Sequence, residues 1–185
     1  MKKIMMTLAA VAVAATMNAQ VWVGGELGFT GSHVNGIDNT EKTFTIAPEI
    51  GYNLDDNFAV AIKLGYGYAS TQDLGALGRY SNVNSYIINP YARYTFAKAG
   101  NFSAFVDGGV NYSTIHVQGA DKNINEFGAS VVPGIAYAVS NKVTLVSHLG
   151  EGLYIKHSWI KDAIRTNDYG FNLFNGISFG AYYNF

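Results

Sequence analysis

The most restrictive feature of this sequence is a two-residue alternation that recurs along most of its length. In residues 58–69 every second side chain is large and apolar, and the side chains between them are small or charged: Phe58, Val60, Ile62, Leu64, Tyr66 and Tyr68 alternate with Ala59, Ala61, Lys63, Gly65, Gly67 and Ala69. Residues 43–54 and 171–185 alternate in the same way. Because successive side chains of a β-strand point to opposite faces, this period predicts strands with one bulky face and one face of small residues.

The predicted strands follow one another as a repeat of strand, tight turn and strand. Three segments share the pattern Pro-x-x-x-Tyr-x-apolar and begin at Pro48, Pro90 and Pro133. Each is followed by a short polar connection and then by another alternating run, over residues 58–70, 102–114 and 143–155. Residues 21–32 fit the same template, and a degenerate copy of the proline segment ends the chain. The repeat predicts eight strands in an all-β fold.

The connections between these strands differ in length on the two sides of the predicted sheet. Those after the second, fourth and sixth strands are short, whereas residues 33–42, 71–83, 115–127 and 156–170 form long polar connections. Short turns on one rim and long loops on the other are typical of outer-membrane barrels. Strands of about 11 to 13 residues suffice to cross the hydrocarbon layer when tilted. A barrel in lipid must also close, because an open edge would leave backbone groups unpaired.

The composition fits a chain that faces lipid and excludes several other classes. Only 14% of the residues are charged, against roughly 25% in an ordinary soluble domain. A soluble barrel would need a generously charged outer face, and both faces here lack one. The absence of cysteine excludes disulfide scaffolds, cysteine-type zinc sites and thiol catalysis. A formal net charge of −1 gives no reason to expect a nucleic acid partner.

The first residues read as a signal for export. Lys2 and Lys3 precede a run of small and apolar residues over 4–15, which is too short to span a membrane comfortably. We predict a signal peptide over residues 1–19, cleaved after Ala19, and one barrel domain over residues 20–185. No later apolar run approaches the length of a transmembrane helix. Because the chain ends with the last predicted strand, no further domain is expected after the barrel.

The whole mature chain resembles the small eight-stranded outer-membrane β-barrel proteins of the OmpA, OmpX and OmpW type, in a form similar to those of Bacteroidota. The resemblance rests on the signal peptide, the alternating strands, the Pro-x-x-x-Tyr hairpins and the terminal Tyr183-Asn184-Phe185. It implies an all-β, eight-stranded antiparallel up-and-down transmembrane β-barrel in the outer membrane of a Gram-negative bacterium, expected to be a monomer. Phe185, preceded at alternate positions by Tyr183 and Phe179, resembles the signal read by the barrel-assembly machinery. That machinery and periplasmic chaperones are the partners this implies during biogenesis.

Six charged or titratable side chains fall on the face of small residues, at corresponding heights of the predicted barrel: Glu26, Glu49, Lys63, Arg93, Asp107 and His148. The register set by the turn at residues 55–57 places Glu49 opposite Lys63. The same register in the next hairpin places Tyr91 opposite Asp107, with Arg93 diagonal to it. One interpretation is a plug, because eight strands leave an interior just wide enough for side chains and buried charges need partners. The other is a path for protons, ions or a substrate, with His148 as a titrating member.

Catalysis is not expected. Barrel enzymes that remove acyl chains from lipid A resemble this architecture and carry a His-x-Ser pair on one strand face. Here the near matches are adjacent residues, which point to opposite faces of a strand: Ser32 and His33, Ser147 and His148, His157 and Ser158. No spacing of His, Asp or Glu predicts a metal site, and no cofactor is expected. The sequence favours a structural or interaction role in the envelope, with a narrow pore or a transporter for small or apolar molecules as the alternative.

The fourth long connection, residues 156–170, mixes basic and apolar side chains. Our hypothesis is that Lys156, Lys161 and Arg165 contact the phosphates of lipopolysaccharide. The alternative is that the apolar residues of this segment fold it back onto the rim. Membrane lipid and lipopolysaccharide are therefore the partners expected of the assembled protein.

Overall fold

A computed structural model describes residues 20–34, 39–72, 80–161, 165–173 and 177–185. The predicted signal peptide, residues 1–19, lies outside this range and stays a prediction. The described residues form ten strands, in chain order β1 (Val21–Val34), β2 (Asn39–Asn53), β3 (Phe58–Gln72), β4 (Tyr80–Ala99), β5 (Phe102–Val117), β6 (Ile124–Ala138), β7 (Val143–Leu149), β8 (Gly152–Ile160), β9 (Arg165–Asn172) and β10 (Ile177–Asn184). No helix in this part of the chain has the length and apolar character needed to cross a membrane.

The strands close into the antiparallel eight-stranded barrel that the repeat predicts. Each of β1 to β5 pairs with the next strand along the chain, and β1 also pairs with β10, which closes the barrel. β7 and β8 both pair with β6 and together make the seventh barrel strand. β9 pairs with β8, β10 pairs with β7, and β9 and β10 together make the eighth barrel strand.

The seventh barrel strand is interrupted because two of its residues have a backbone that glycine favours. Gly150 and Gly152 have φ angles of 78° and 65°, a region that L side chains rarely adopt. A Cβ on Gly152 would lie 2.0 Å from the carbonyl oxygen of Val131. Below this break β7 pairs with β10, and above it β8 pairs with β9. The barrel wall therefore has a lower closed ring and an upper hairpin, β8 with β9, joined at the glycines.

The strands extend well into the four segments predicted as long loops. The strands that precede these segments end at Val34, Gln72, Val117 and Ile160, so more than half of residues 33–42, 115–127 and 156–170, and part of residues 71–83, is paired hairpin. That prediction of the strand ends was wrong. It relied on apolar alternation, which stops where the wall leaves the hydrocarbon, whereas the backbone hydrogen bonds between strands continue into water.

The alternation separates the two faces of the wall. The bulky side chains lie outside and are exposed, for example Leu64 at 52% and Phe179 at 66%, and in the membrane they contact lipid. Aromatic pairs lie on this outer face near the short turns, with ring centroids 4.8 Å apart for Phe58 and Tyr94. The inner face carries few large side chains, and four aromatic ones form the core together with Ala136 and Val146: Trp22, Tyr91, Phe105 and Tyr182. The candidate site lies among them, in the lumen.

Candidate functional site

The centre of the lumen is a buried ion pair between Arg93 and Asp107. The Nε of Arg93 donates to Oδ1 of Asp107 and its Nη2 donates to Oδ2, both at 2.7 Å. Both residues are more than nine-tenths buried. This planar, two-bond arrangement is the strong form of an arginine–carboxylate contact, and it fixes the guanidinium across the barrel axis.

The register that creates this pair differs from the predicted one. Arg93 lies directly opposite Asp107, and Tyr91 lies opposite Gly109. Two local features cause the shift. The turn is shorter than expected because only Gly100, which has a φ of 60°, and Asn101 separate Ala99 from its ladder partner Phe102. A bulge between Thr95 and Ala97 then adds one unpaired residue to β4.

His148 connects this pair to a second carboxylate. Its Nε2 lies 2.7 Å from Oδ2 of Asp107 and its Nδ1 lies 2.9 Å from Oε1 of Glu26. The contact with Asp107 is a hydrogen bond. The contact with Glu26 is within ion-pair distance, but its geometry does not make a hydrogen bond. Glu26 also accepts a hydrogen bond of 2.7 Å from the hydroxyl of Ser178. A doubly protonated imidazole is the form that presents a proton to both carboxylates.

Lys63 and Glu49 complete the network on the side of the longer hairpins. Nζ of Lys63 donates to Glu26 at 2.7 Å and lies 4.0 Å from Glu49. Glu49 is opposite Lys63 in the ladder, as the turn register predicts. Its carboxylate nevertheless takes its closest hydrogen bond from the Tyr91 hydroxyl, at 2.6 Å. All six charged side chains singled out in the sequence are thus joined in one connected group, the lumen network, with three carboxylates facing two permanent cations and His148.

Aromatic rings enclose the guanidinium and were not predicted. Cζ of Arg93 lies 3.8 Å from the centroid of the Phe105 ring, and its Nη2 donates to the Tyr182 hydroxyl at 3.2 Å. Trp22 stacks on Tyr182 with ring centroids 4.2 Å apart. The signal that could have revealed this cluster is the rarity of large side chains on the small-residue face.

Glycines on the neighbouring strands leave the space that these rings occupy. A Cβ on Gly51 would lie 2.1 Å from Trp22, and one on Gly134 would lie 2.3 Å from Phe105. The glycine-rich inner face is therefore the complement of three inward rings. Small residues and large rings together fill the lumen at this level.

The lumen network separates the cavities of the barrel. A cavity of about 460 Å³ lies towards the short turns, where Arg93 and Tyr182 line its inner end. Two smaller cavities, of about 190 and 300 Å³, lie towards the long hairpins and share the lining residue Lys63. The lower cavity has no lining residue in common with either upper one. Among the described residues, no group of three or more His, Asp or Glu side chains is arranged to hold a metal ion.

The residues proposed to contact lipopolysaccharide do not lie together. Lys156 faces the interior: it lines an upper cavity with Lys63, and its Nζ donates to Glu151 at 2.8 Å. The cause is strand parity, because residue 156 lies within β8 and not in a loop. Lys161 and Arg165 are exposed at the tip of the β8–β9 hairpin.

The three residues of the proposed assembly signal lie on β10 and at the end of the chain. Phe179 and Tyr183 are on the outer face, exposed by 66% and 41%. The ring of Phe185 packs edge-on against Tyr183, with centroids 5.2 Å apart. Their role in recognition by the assembly machinery stays a proposal.

Comparison with known proteins places the chain in a family. Residues 4–185 match the outer membrane protein beta-barrel domain. An uncharacterized outer-membrane protein of Sinorhizobium fredii, y4mB, is 24% identical over 134 residues, which cover 69% of this chain and 58% of that relative. The chain thus spans less than two thirds of the curated relative that it matches.

Solved structures share the fold at low identity. Neisserial surface protein A superposes with a TM-score of 0.56 at 16% identity, covering 91% of this chain and 98% of that one. OprG from Pseudomonas aeruginosa gives 0.54 at 12%, covering 89% and 94%, and outer membrane protein W of E. coli gives 0.51 at 14%, covering 90% and 97%. The chain belongs to the outer membrane protein beta-barrel domain family and is a β-barrel of the outer membrane.

Proposed function

We propose that this protein is a non-conducting barrel with a structural or interaction role in the cell envelope, its lumen plugged by the lumen network. The observation that carries the proposal is the continuous chain of contacts from Lys63 through Glu26, His148 and Asp107 to Arg93, with distances of 2.7 to 2.9 Å at each step. An ion moving along the barrel axis would have to break this chain.

The energetics of buried charges support a plug over a path. Removing one partner of a buried ion pair costs about 3–5 kcal/mol, because the other charge is left without compensation. The rings of Phe105, Trp22 and Tyr182 also pack against the guanidinium on the side of the short turns. A conducting state would have to displace both the ion pairs and the rings.

Planar-bilayer recording of the refolded protein tests the plug. We expect no stable conductance steps from the natural sequence. The double variant Arg93→Ala and Phe105→Ala, which removes the guanidinium and the ring beneath it, should conduct if it still folds. Lys98→Gln at the rim is the matched control and should behave like the natural protein. A stable, large conductance from the natural sequence would contradict the proposal.

The contacts of the histidines support a non-enzymatic role. His148 faces two carboxylates, and Nδ1 of His157 and of His116 lies within 2.9 Å of an asparagine Oδ1. No serine hydroxyl contacts a histidine ring nitrogen among the side chains that the structure describes. Lipid A and phospholipid hydrolysis by the refolded protein, followed by mass spectrometry of released fatty acid, should show no activity above a heat-denatured sample.

A second candidate, a conduit for small apolar molecules, is favoured by one feature of the upper wall. Within the described ranges β9 pairs with β8, and no pairing joins β9 to β1 above Leu27. This leaves a side seam between the lumen above the network and the bilayer. Phe29 and Phe171 are exposed by 75% and 68% on the strands that border it.

The contents of the upper cavities distinguish the two candidates. The protein can be purified from its membrane in mild detergent, and bound molecules identified by native mass spectrometry. A lumen without ligand is expected for the plugged structural barrel. Recovery of a small apolar molecule, lost when Ser130 is replaced by Phe in the cavity wall, would favour the conduit instead.

A further inference from the structure

We propose that the outer wall formed by β3 to β6, β8 and β9 binds one lipid A-type molecule, a phosphorylated and acylated saccharide of the outer leaflet. The site has three levels: an apolar groove lined by β3 to β6 and β8, an aromatic and amide rim above it on β5, β6, β8 and β9, and basic side chains at the tips of the β5–β6 and β8–β9 hairpins. The inference goes beyond the proposed function, because a site on the lipid-facing wall would stand whether or not the lumen conducts.

The groove is a depression in the lipid-facing surface of about 890 Å³. Its floor is made by small residues, including Ala92, Gly108 and Ala129, and a Cβ built on Gly108 would meet nothing within 4 Å. Leu153 and Ile155, exposed by 58% and 60%, stand along one side. The groove crosses five neighbouring strands and is lined mainly by apolar side chains, which suits hydrocarbon.

The rim above the groove combines rings with amides. The hydroxyl of Tyr112 donates to Oδ1 of Asn125 at 3.1 Å, and the Trp159 ring lies 6.3 Å from that of Tyr112. His157 stacks on Trp159 at 5.6 Å, and its Nδ1 lies 2.7 Å from Oδ1 of Asn167. Amphipathic rings of this kind sit at the level where hydrocarbon gives way to polar headgroups.

Positive charge lies at the top of the same strands. Lys161 and Arg165 are exposed at the tip of the β8–β9 hairpin, and Arg165 is paired across the ladder with Trp159. Lys122, in the β5–β6 turn, donates to the backbone carbonyl of Lys161 at 3.0 Å and so joins the two tips. Asp121 is the acidic neighbour of Lys122 in this turn.

Within the described residues, the other acidic groups that face these strands, Glu126 and Asp168, lie on the inner face; Asp162, next to Lys161, is outside the described residues. Asp168 is directly opposite the inward Lys156, and Glu126 accepts a hydrogen bond from Ser158 at 3.1 Å. The outer face of β8 and β9 therefore carries Arg165 without a carboxylate beside it on β9. This segregation fits an anionic headgroup on the outside of the hairpin.

The spacing of the levels matches half of a bilayer. Lys161 lies six positions after Ile155, a distance of about 20 Å along a strand. At the usual strand tilt this is about 15 Å in height. Half of a hydrocarbon core is also about 15 Å. An acyl chain in the groove would thus place its headgroup at the basic tips. The long hairpins mark the outer side of an outer-membrane barrel, and the acylated phosphate carrier of that leaflet is lipid A.

Native mass spectrometry of the refolded full chain tests this site with two probes at equal concentration, purified lipid A and phosphatidylglycerol. We expect one retained lipid A per barrel and weaker retention of phosphatidylglycerol. This comparison needs no substitution. Equal retention of the two lipids, or a lipid-free dimer as the main species, would overturn the proposal.

Two variants test the levels separately. The double variant Lys161→Gln and Arg165→Gln should lower lipid A affinity about 25-fold, because each cation near a membrane surface contributes roughly a factor of five. The double variant Lys98→Gln and Lys142→Gln makes the same charge change at the other rim and should leave affinity unchanged. Wild-type affinity in the first variant would refute the role of the tips.

Gly108→Leu places its Cβ in open space and extends the side chain into the groove. It should lower lipid A affinity about tenfold, which corresponds to about two methylene groups of an acyl chain that are no longer buried. Ala181→Leu creates the same side chain at an exposed position of β10, outside the groove, and is its control. Heat-modified migration on gels confirms that each variant is folded. Undiminished lipid A binding by folded Gly108→Leu would show that the groove holds no acyl chain.

Discussion

Replacing Arg93 by Gln is expected to lower the free energy of unfolding of the barrel by about 3–5 kcal/mol. The substitution removes two hydrogen bonds of 2.7 Å to Asp107 and leaves that carboxylate buried, with His148 as its remaining partner. It also removes the contact of the guanidinium with the Phe105 ring at 3.8 Å.

A double-mutant cycle shows how much of this loss of unfolding free energy comes from the contact between Arg93 and Asp107. Hydrogen bonds to charged groups contribute about 1.5–3 kcal/mol each, so two of them account for the expected loss. Asp107→Asn should cost a similar amount, because it leaves the guanidinium of Arg93 without its counter-charge. The variant with both substitutions should lose far less than the sum, since no uncompensated charge of the pair is left.

Urea unfolding of the barrel in detergent micelles or lipid vesicles measures these changes. Trp22 is a built-in reporter, because it stacks on Tyr182 beside the guanidinium and its emission should shift when the cluster opens. Gel migration without heating gives an independent measure of the folded fraction. Lys98→Gln, on the exposed rim, serves as the charge control and should change stability by less than about 0.5 kcal/mol.

The result that would refute this reasoning is additivity. If the losses of the two single variants add to that of the double variant within about 0.5 kcal/mol, the two groups are not coupled. The contact between Arg93 and Asp107 would then contribute nothing specific, and the plug would have to depend on ring packing alone.

Three further predictions concern other parts of the barrel. Gly51→Ala places a methyl group 2.1 Å from the Trp22 ring and should cost about 1–3 kcal/mol in urea unfolding. Asp55 accepts hydrogen bonds from the backbone amides of Asn57 and Phe58, which hold the pKa of its carboxyl below the ordinary value. An NMR titration should show this lowered pKa, and the turn should keep the benefit at neutral pH and lose it as the pH falls through that pKa. Deleting Phe185 should slow insertion by reconstituted assembly machinery, and an unchanged rate would remove it from the assembly signal.

Much of the fold follows from local pattern. The period of two, the proline repeat and the inequality of the connections predict a closed barrel, because lipid allows few other arrangements of strands. The inward charges could also be picked out, since a Lys63 or Asp107 on a face of glycine and alanine is an exception to the pattern. What the pattern supplies is the face and the approximate height of each side chain.

The partners of those charges could not be read from the sequence. The pairing of Arg93 with Asp107 depends on a bulge at residues 95–97, which no composition signal marks. The bridge through His148 links β5 to β7, strands that are not adjacent in the wall, so it depends on barrel closure and shear. Strand ends were also missed, since Lys156 belongs to a ladder that continues beyond the apolar band.

The break at Gly150 and Gly152 divides the wall into parts whose lengths can change independently. A hairpin that begins at Gly152 can gain or lose residues in pairs without altering the register of β7 against β10, which fixes His148 in the lumen. For engineering, the same division means that an epitope inserted at the β8–β9 tip should replace the proposed lipid A contacts of Lys161 and Arg165 while the lower ring keeps its pairing.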